Sequence, residues 1–280
     1  MEYYFFMPRL ALALVGTVLL GCHPASAGMV SSNVDTSSTI LAIFAHPDDE
    51  LAVSPLLARY AREGVDVYLV IATDGRKGVR EHAGIPAGDQ LAARRAEEAR
   101  CACRELGIHE PILLGLADGS LASADTLRLL HQAIARLLEE IQPDVILTWG
   151  PDGGYGHPDH RMVSNVVTEV YQRGMENLAG SLYYAATPTE GFANLPAAST
   201  FVGQWLSRGL HPTAKRYLPV RIAYADENLE AAHTSYKCHM SQYTEEEIDE
   251  IFALLRHVQA GTVYLRPWFG DETMRTDLFD

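Results

Sequence analysis

The sequence lacks several patterns by which a class of protein is usually recognised. Its four cysteines form no C-x-x-C pair, so a cysteine-ligated zinc site is not expected. It has 22 lysine and arginine residues against 36 aspartate and glutamate residues, and the basic residues form no cluster. Because clustered basic side chains bind nucleic acid phosphates, we expect no nucleic acid partner.

Three glycine- or serine-centred motifs are also missing. No G-x-G-x-x-G follows the first apolar run, which argues against a dinucleotide site. Residues 153–156 are rich in glycine but lack the lysine and hydroxyl of a phosphate-binding P-loop. No G-x-S-x-G is present, which argues against a serine nucleophile on a strained turn. The glycines of residues 153–156 are instead expected to let the backbone bend into a pocket.

The chain also lacks an apolar run that would span a membrane comfortably. Residues 10–20 are apolar apart from Gly16 and Thr17 and follow Arg9, which is the pattern of a signal-peptide core. Met7 offers an alternative start just ahead of this segment. We predict a signal peptide over residues 1–27, a tether rich in serine and threonine over residues 28–38, and one folded domain over residues 39–280.

Two processing sites are readable in the signal segment. Ala25-Ser26-Ala27 fits a signal-peptidase site before Gly28. Residues 19–22 resemble a bacterial lipobox in which Cys22 is lipidated, although position 20 holds leucine where a small residue is usual. Either route predicts an exported protein that is periplasmic, secreted, or held at the cell envelope by a lipid anchor at Cys22. The oligomeric state stays open.

The three remaining cysteines are predicted to be buried free thiols. Cys101 and Cys103 are two residues apart on a predicted helix, so their side chains point to different sides and are poorly placed to bond each other. Cys238 has no neighbouring cysteine in the sequence.

From residue 39 onward, apolar strands alternate with helical patterns. The predicted strands are residues 39–44, 65–72, 111–114, 145–149 and 182–185, and the predicted helices are residues 51–63, 89–106, 124–141, 161–173 and 244–259. This alternation predicts an α/β fold, a Rossmann-like, doubly wound and mainly parallel sheet covered on both faces. Residues 187–218 contain Pro188, Pro196 and Pro212, and we predict an irregular C-terminal portion there that covers substrate.

Imidazoles and carboxylates follow two of the predicted strands directly. The motif A-H-P-D-D-E comes after strand 39–44, and G-P-D-G-G-Y-G-H-P-D-H comes after strand 145–149. Because the carboxyl ends of parallel strands meet at one edge of a sheet, we expect the two motifs to converge. The side chains concerned are His46, Asp48, Asp49, His157, Asp159 and His160.

This convergence predicts a metal site. Carboxylates that lie close together repel one another unless a cation or hydrogen bonds hold them. Two histidines and one carboxylate are a common hydrolytic zinc set, which leaves one position for water. Iron or another divalent ion could occupy the same set of ligands.

The two motifs together resemble the LmbE-like (PIG-L) family of zinc-dependent de-N-acetylases. The resemblance covers residues 39 to about 172 and resumes at residues 239–242, H-M-S-Q, which look like the family's H-x-S-Q. By position, the resemblance implies that His46, Asp49 and His160 bind zinc. It also implies that Asp48 is the general base and that His157 stabilises the oxyanion.

The resemblance implies roles for four further residues. Asp159 looks like a partner that tunes an imidazole, and Tyr155 resembles a tyrosine that some members place near the substrate carbonyl. Arg95 stands in a segment like the family's R-x-x-E, whose arginine reaches the sugar, although from sequence alone charge pairing on a helix surface is the better explanation. Asp118 stands in a segment like L-G-x-x-D-G, whose aspartate contacts sugar hydroxyls, although a turn aspartate explains it too.

One loop departs from the family pattern. Residues 73–78 align with a loop that often carries acidic residues, and here the loop carries Arg76 and Lys77. The departure indicates either an anionic group on the substrate or a solvated loop.

The sequence therefore predicts an exported, zinc-dependent hydrolase that removes an N-acetyl group from an N-acetylglucosamine-type sugar or glycoconjugate. Two alternatives stay open at this point. One is a non-catalytic, sugar-binding envelope lipoprotein that has kept the fold. The other is a metal-dependent esterase or phosphoesterase that uses the same site, although two-metal phosphatases usually need more ligands.

Overall fold

The computed structural model describes residues 38–174, 180–192, 200–207, 209–269 and 273–280. The predicted signal peptide, Cys22 and all but the last residue of the predicted tether lie outside these ranges. The described residues belong to one compact unit. Within the described ranges, every helix is too short or too polar to cross a membrane.

Within the described ranges, seven strands form one sheet, and the first five of them correspond to the five predicted strands. In chain order they are β1 (Thr39–Phe44), β2 (Asp66–Thr73), β3 (Ile112–Leu116), β4 (Val145–Trp149), β5 (Ser181–Ala186), β6 (Val220–Ala223) and β7 (Thr262–Pro267). Their order across the sheet is β3-β2-β1-β4-β5-β7-β6. The first five strands run parallel, while β7 pairs antiparallel with both β5 and β6. The predicted α/β, mainly parallel fold is confirmed.

The central strand β1 shows why its sequence is a continuous apolar run. Ile40 and Phe44 belong to the core on one face of the sheet, and Leu41 and Ile43 belong to the core on the other face. All four side chains are fully buried. Because a parallel sheet is covered by helices on both sides, successive residues of its strands are all apolar and do not alternate with polar ones.

In the part of the chain that the structure describes, eight helical segments surround the sheet. They are α1 (Ser54–Arg62), α2 (Asp89–Leu106), α3 (Ala124–Ile141), α4 (Gly153–Gly156), α5 (Pro158–Gln172), α6 (Thr200–Ser207), α7 (Asp226–Tyr236) and α8 (Glu245–Gln259). Helices α2 and α3 have the predicted bounds. Helix α5 begins three residues before the predicted start, because His157 caps it and Pro158 occupies its first turn.

The region after β5 differs from its prediction in part. Residues 187–218 are not irregular throughout, since they contain α6 and short 3₁₀ turns at Thr189–Phe192 and Lys215–Tyr217. The antiparallel strands β6 and β7 and the helix α7 between them were not predicted. Strand β6 has only four residues, V-R-I-A, which is too short for a clear apolar period.

The cysteine prediction is wrong for two of the three cysteines. Cys101 and Cys238 form a disulfide across 137 residues of sequence, with Cα atoms 5.7 Å apart. The bond joins α2 to the residues just after α7. The sequence did not predict this pairing because it did not predict α7, so Cys238 could not be placed beside α2. Cys103 is a buried free thiol as predicted, and burial raises its pKa.

Candidate active site

The two predicted motifs meet at the carboxyl edge of the sheet. Strand β1 ends in the A-H-P-D-D-E loop, β4 ends in the glycine-rich loop, and the two strands are adjacent and parallel. The adjacency brings His46 and His160 into contact, although they are 114 residues apart, with His46 Nδ1 lying 3.1 Å from His160 Nε2. The convergence expected from the topology is therefore present.

Three side chains from these loops, those of His46, Asp49 and His160, approach one another within 3.5 Å. His160 Nε2 lies 3.2 Å from Asp49 Oδ1, and His46 Nδ1 lies 3.5 Å from Asp49 Oδ2. In a tetrahedral site with zinc-ligand bonds of about 2.0–2.1 Å, neighbouring ligand atoms are about 3.3 Å apart. The spacing of these three buried side chains fits a single divalent ion, and nitrogen and carboxylate donors suit zinc.

Trp149, the last residue of β4, holds two of these side chains. Its indole ring stacks on the imidazole of His160 with centroids 4.6 Å apart and an interplanar angle of 5°. Its Nε1 donates a hydrogen bond of 3.2 Å to Asp49 Oδ2. Sequence reasoning missed this residue, and the signal that could have found it is its position at the strand end, directly before the glycine-rich loop.

The glycine-rich loop sets the orientation of His160. The carbonyl oxygen of Gly153 lies 3.1 Å from His160 Nδ1, so a proton on Nδ1 leaves the lone pair of Nε2 facing the other ligand atoms. Gly154 adopts φ +72°, and a Cβ atom there would lie 2.9 Å from the Trp149 ring. Glycine is therefore required at this position by both conformation and space.

Asp49 is held in its ionised form. Its Oδ2 accepts hydrogen bonds from the backbone N–H groups of Ala45, at 3.0 Å, and His46, at 2.9 Å. Burial alone would raise the pKa of Asp49, but the imidazoles of His160 and His46 hold it well below its ordinary value. A permanently charged carboxylate is the form that binds a cation.

Two buried carboxylates border the other nitrogen of His46. His46 Nε2 lies 3.3 Å from Asp118 Oδ1 and 3.4 Å from Asp159 Oδ2. Negative charge on this side favours a proton on Nε2, which leaves the lone pair of Nδ1 facing Asp49 and His160. Together His46, Asp118 and Asp159 also bring ligand atoms within 4.8 Å of one another, as do His46, His157 and His160.

Backbone donors fix both of these carboxylates. Asp159 accepts hydrogen bonds from the N–H groups of Gly119, at 2.7 Å, and Leu121, at 3.2 Å. Asp118 accepts one from Lys77 N at 3.0 Å. Against the effect of burial, contact with His46 lowers the pKa of both carboxyls, that of Asp118 to about 2.

Asp48 lies beside the three-ligand cluster in a strained conformation. Its backbone has φ 102°, a region that residues other than glycine rarely adopt. Its carboxylate is 2.9 Å from Arg95 Nη2 and accepts a hydrogen bond of 3.1 Å from the hydroxyl of Tyr243. Burial raises the pKa of Asp48, and the charge of Arg95 opposes that rise. Tyr243 was not identified from the sequence.

Arg95 is mainly occupied inside the protein. Its guanidinium donates to the carbonyl oxygens of Pro47 and Gly75, in addition to its ion pair with Asp48. Only 3% of Arg95 is exposed, although it lies at the wall of the cleft. The role of Arg95 at the sugar stays a prediction, and the structure adds a contact with the carboxylate of Asp48.

The H-M-S-Q segment, residues 239–242, contacts Glu50 and Glu98 beneath the cleft. His239 Nε2 lies 2.8 Å from Glu50 Oε1, and Glu50 Oε2 accepts from the backbone N–H of Asp48 at 3.1 Å. Ser241 donates from its N–H and its hydroxyl to the two oxygens of Glu98, at 2.9 and 2.6 Å. Buried hydrogen bonds between Ser241 and Glu98 thus connect the H-x-S-Q segment to the R-x-x-E segment. Sequence spacing alone does not reveal this connection.

His157 and Tyr155 border the cluster on the open side. His157 Nδ1 accepts a hydrogen bond of 3.2 Å from Asp159 N, so a proton in the neutral ring is carried by Nε2. Burial and the neighbouring His46 and His160 lower the pKa of His157. The ring of Tyr155 meets the edge of His160 at a centroid distance of 5.0 Å.

A cleft of about 1300 Å³ opens over these residues. Its walls include part of the region after β5 that was predicted to cover substrate. The residues of that region along the cleft are Thr187, Phe201, Gln204, Leu210, His211 and Pro212.

Within an α/β fold, this combination is what a metal-assisted hydrolase uses: ligands for one divalent ion and an acidic side chain beside the same point. The family of GlcNAc-PI de-N-acetylases (PIG-L) matches residues 41–171. A 1D-myo-inositol 2-acetamido-2-deoxy-alpha-D-glucopyranoside deacetylase of Mycobacteroides abscessus is 32% identical over 217 residues, which make up 70% of this chain and 75% of that protein. The chain belongs to the PIG-L family, and it is a hydrolase that acts on amide bonds.

Solved structures share the fold at low identity. N,N'-diacetylchitobiose deacetylase from Pyrococcus horikoshii superposes with a TM-score of 0.58 and 22% identity, over 82% of each chain. GalB, the 4-carboxy-2-hydroxymuconate hydratase from Pseudomonas putida, superposes with a TM-score of 0.59 and 16% identity, over 86% of this chain and 100% of that one. Because one of these enzymes is a hydratase, the fold alone does not define the reaction.

Proposed function

We propose that this protein is an exported, zinc-dependent de-N-acetylase that removes the acetyl group from an N-acetylglucosamine-type sugar or glycoconjugate. The observation that carries the proposal is the cluster of His46 Nδ1, His160 Nε2 and the Asp49 carboxylate, with contacts of 3.1–3.5 Å, beside the carboxylate of Asp48. Family membership and the sugar amide in the name of the Mycobacteroides abscessus relative support the substrate class.

We assign His46, Asp49 and His160 as the ligands of the ion. A zinc ion held there supplies Lewis acidity, which polarises the amide carbonyl and lowers the pKa of water. Asp118 and Asp159 orient His46, while Gly153 and Trp149 orient His160. Such outer partners fix the tautomer and angle of ligand imidazoles. Iron remains the other candidate ion for this donor set.

Asp48 is the proposed general base. It is next to ligand Asp49 in sequence, so its carboxylate can take a proton from the attacking water and later pass it to the leaving amine. Arg95 and Tyr243 hold its two oxygens in place. Burial raises its pKa, which makes it a stronger base than an exposed aspartate.

His157 and Tyr155 are the proposed stabilisers of the oxyanion. With its Nδ1 accepting from Asp159 N, a neutral His157 has Nε2–H available as a donor to the developing negative charge. A neutral donor serves this purpose, so the lowered pKa of His157 does not conflict with the role. Arg95 and Asp118 stay our proposed contacts for the sugar, since both line the cleft.

Export is supported by two observations. Residues 1–27 have the pattern of a signal peptide. The folded unit also contains the Cys101–Cys238 disulfide, and disulfides persist mainly in oxidising compartments such as the periplasm and the extracellular space. An N-acetylated sugar of the cell envelope would meet the enzyme there.

The test is release of free amine from N-acetylglucosamine and N,N'-diacetylchitobiose by protein stripped of metal and then reloaded with zinc. We expect zinc-dependent release that falls by about 10²–10⁴-fold in Asp48→Asn, the usual contribution of a general base. Asp125→Asn, at the start of α3, is the matched control and should keep full activity.

Three results would contradict the proposal in different ways. Sugar binding without release in the zinc-loaded protein would favour the sugar-binding lipoprotein. Release of acetate from acetyl esters but not from the amides would favour an esterase. Equal activity of Asp48→Asn and the wild-type protein would remove Asp48 from its assigned role.

A further inference from the structure

Lys77 offers a positive charge on the wall of the cleft. In the described part of the chain, the lysine and arginine side chains that line the cleft are Lys77, Arg80 and Arg95. Arg95 is paired with Asp48 at 2.9 Å, and Arg80 is paired with Glu247 at 2.6 Å. Lys77 makes no ion pair with any residue that the structure describes, so its charge is available to a ligand.

The structure separates the two basic residues of this loop. Arg76 Nε is 2.6 Å from Asp74, and Arg76 Nη2 is 3.1 Å from Asp89. Its charge is therefore already balanced, and among the described residues it is Lys77, not Arg76, that lines the cleft. Of the two basic residues that depart from the acidic family pattern, only Lys77 is therefore placed to contact a ligand in the cleft.

The side chain of Lys77 lies across Gly119. A Cβ atom at Gly119 would come within 2.8 Å of Lys77 Nζ and within 3.7 Å of Lys77 Cδ and Cε. Gly119 has φ +72° in the turn after β3, so glycine is favoured there by conformation as well. Because Gly119 has no side chain, the Lys77 side chain can pack against its backbone, and the ammonium group lies at this turn.

This turn adjoins the candidate metal ligands. Gly119 N donates to Asp159, and Lys77 N donates to Asp118. Both carboxylates lie within 3.4 Å of His46 Nε2. The ammonium group of Lys77 therefore lies at the turn whose backbone binds the two carboxylates that contact His46.

The rest of the wall carries negative charge. Its further acidic residues, apart from Glu247 that pairs with Arg80, are Glu81, Asp152, Glu246 and Glu250. These side chains repel an anionic ligand, whereas a neutral sugar needs no compensating charge. A lysine beside the reaction centre therefore matters most for a substrate with a negative charge of its own.

We propose that Lys77 recognises a negatively charged substituent, a carboxylate or a phosphate, on the N-acetylated sugar. The inference rests on the proposed deacetylase function and narrows its substrate class. Lys77 binds the substituent and takes no part in the proton transfers.

The test compares kcat/KM of the zinc-loaded full chain on three sugars. N-acetylglucosamine is neutral, N-acetylmuramic acid carries a carboxylate, and N-acetylglucosamine 6-phosphate carries a phosphate. We expect Lys77→Gln to lower the ratio of anionic to neutral kcat/KM by about tenfold, mainly through KM, because one close charge pair is lost. Lys77→Arg should keep the preference, and the larger loss between the two anionic sugars identifies the substituent.

Arg76→Gln is the matched control. It also removes one positive charge from this loop, but the side chain of Arg76 is already paired with Asp74 and Asp89. It should leave the ratio unchanged. An equal fall in Arg76→Gln, or no fall in Lys77→Gln, overturns the inference. Turnover of N-acetylglucosamine by a wild-type protein without any anionic preference overturns it too, and leaves the deacetylase intact. No turnover of any of the three sugars overturns both.

Discussion

At the scale of the residue, Trp149 combines two functions that are usually divided. One face of its indole stacks on the ligand candidate His160, and its N–H donates to the ligand candidate Asp49. The angle between the two ligands is therefore set by one rigid ring. Its neighbour Gly154 has no side chain, so the ring can take this position.

Replacing Trp149 with phenylalanine separates the two contacts. The variant keeps an aromatic ring against His160 but loses the hydrogen bond to Asp49. We expect about tenfold weaker zinc binding, the lower end of the effect of removing an outer partner of a metal ligand. Competition with a chromophoric chelator measures the affinity.

Trp268→Phe is the control for this variant. Trp268 packs against Tyr171 with ring centroids 5.4 Å apart and contacts none of the ligands. Its zinc affinity should match that of the wild-type protein. Equal affinities in both variants would show that the hydrogen bond to Asp49 does not help to hold the ion.

At the scale of the element, the disulfide joins helix α2 to the segment just after α7, two parts of the chain that the sequence did not place together. Cys101 lies on α2 and Cys238 lies one residue before His239 of the H-M-S-Q segment. Glu98 of the same helix binds Ser241 of that segment. Helix α2 thus holds the segment by one covalent bond and by hydrogen bonds a turn away.

Removing this bond should lower stability strongly. For a closed loop of more than 100 residues, the lost chain constraint is about 5 kcal/mol of unfolding free energy. We expect this decrease in urea denaturation of the double variant Cys101→Ser, Cys238→Ser. A reducing agent should bring the wild-type protein to the same value and leave the double variant unchanged. Equal stability of the two proteins without reductant would contradict the prediction.

The elements that the sequence predicted well have a local signal at one end at least. Helix α2 ends at Gly107 in the left-handed conformation, and Thr244 and Glu247 form a capping box at the start of α8. Strands β6 and β7 have no such signals. Their stability comes from antiparallel pairing with β5 and with each other, which no local pattern reports.

At the scale of the whole molecule, the sheet order creates the site. Because β4 lies next to β1, two loops far apart in sequence share one edge. The convergence of the two motifs could be predicted from this rule, since strand ends and residue types are both readable in the sequence. The choice of His46, Asp49 and His160 as ligands came from the family resemblance. The partners around them could not be predicted, because Trp149, Tyr243 and Glu50 act through tertiary contacts that only packing defines.

Metal removal should act on the whole fold. The proposed ligands come from two loops, so an ion that binds only the folded state stabilises it by about 3–4 kcal/mol at 100–1,000 times its dissociation constant. We expect a lower Tm after chelation and its recovery with zinc, measured by calorimetry. His160→Ala should show little response to zinc. A wild-type Tm that is the same with and without the ion would exclude a structural contribution from the metal.

The separation of His46 and His160 by 114 residues also determines when the metal site can form during synthesis and folding. During synthesis, the first ligand loop is made long before the second, and the two meet only when β4 has joined the sheet beside β1. A partly made or unfolded chain therefore has no complete site, and the ion is a late addition that cannot nucleate folding. If the chain crosses a membrane before it folds, its metal comes from the compartment of arrival, and the ions available there decide which one it carries.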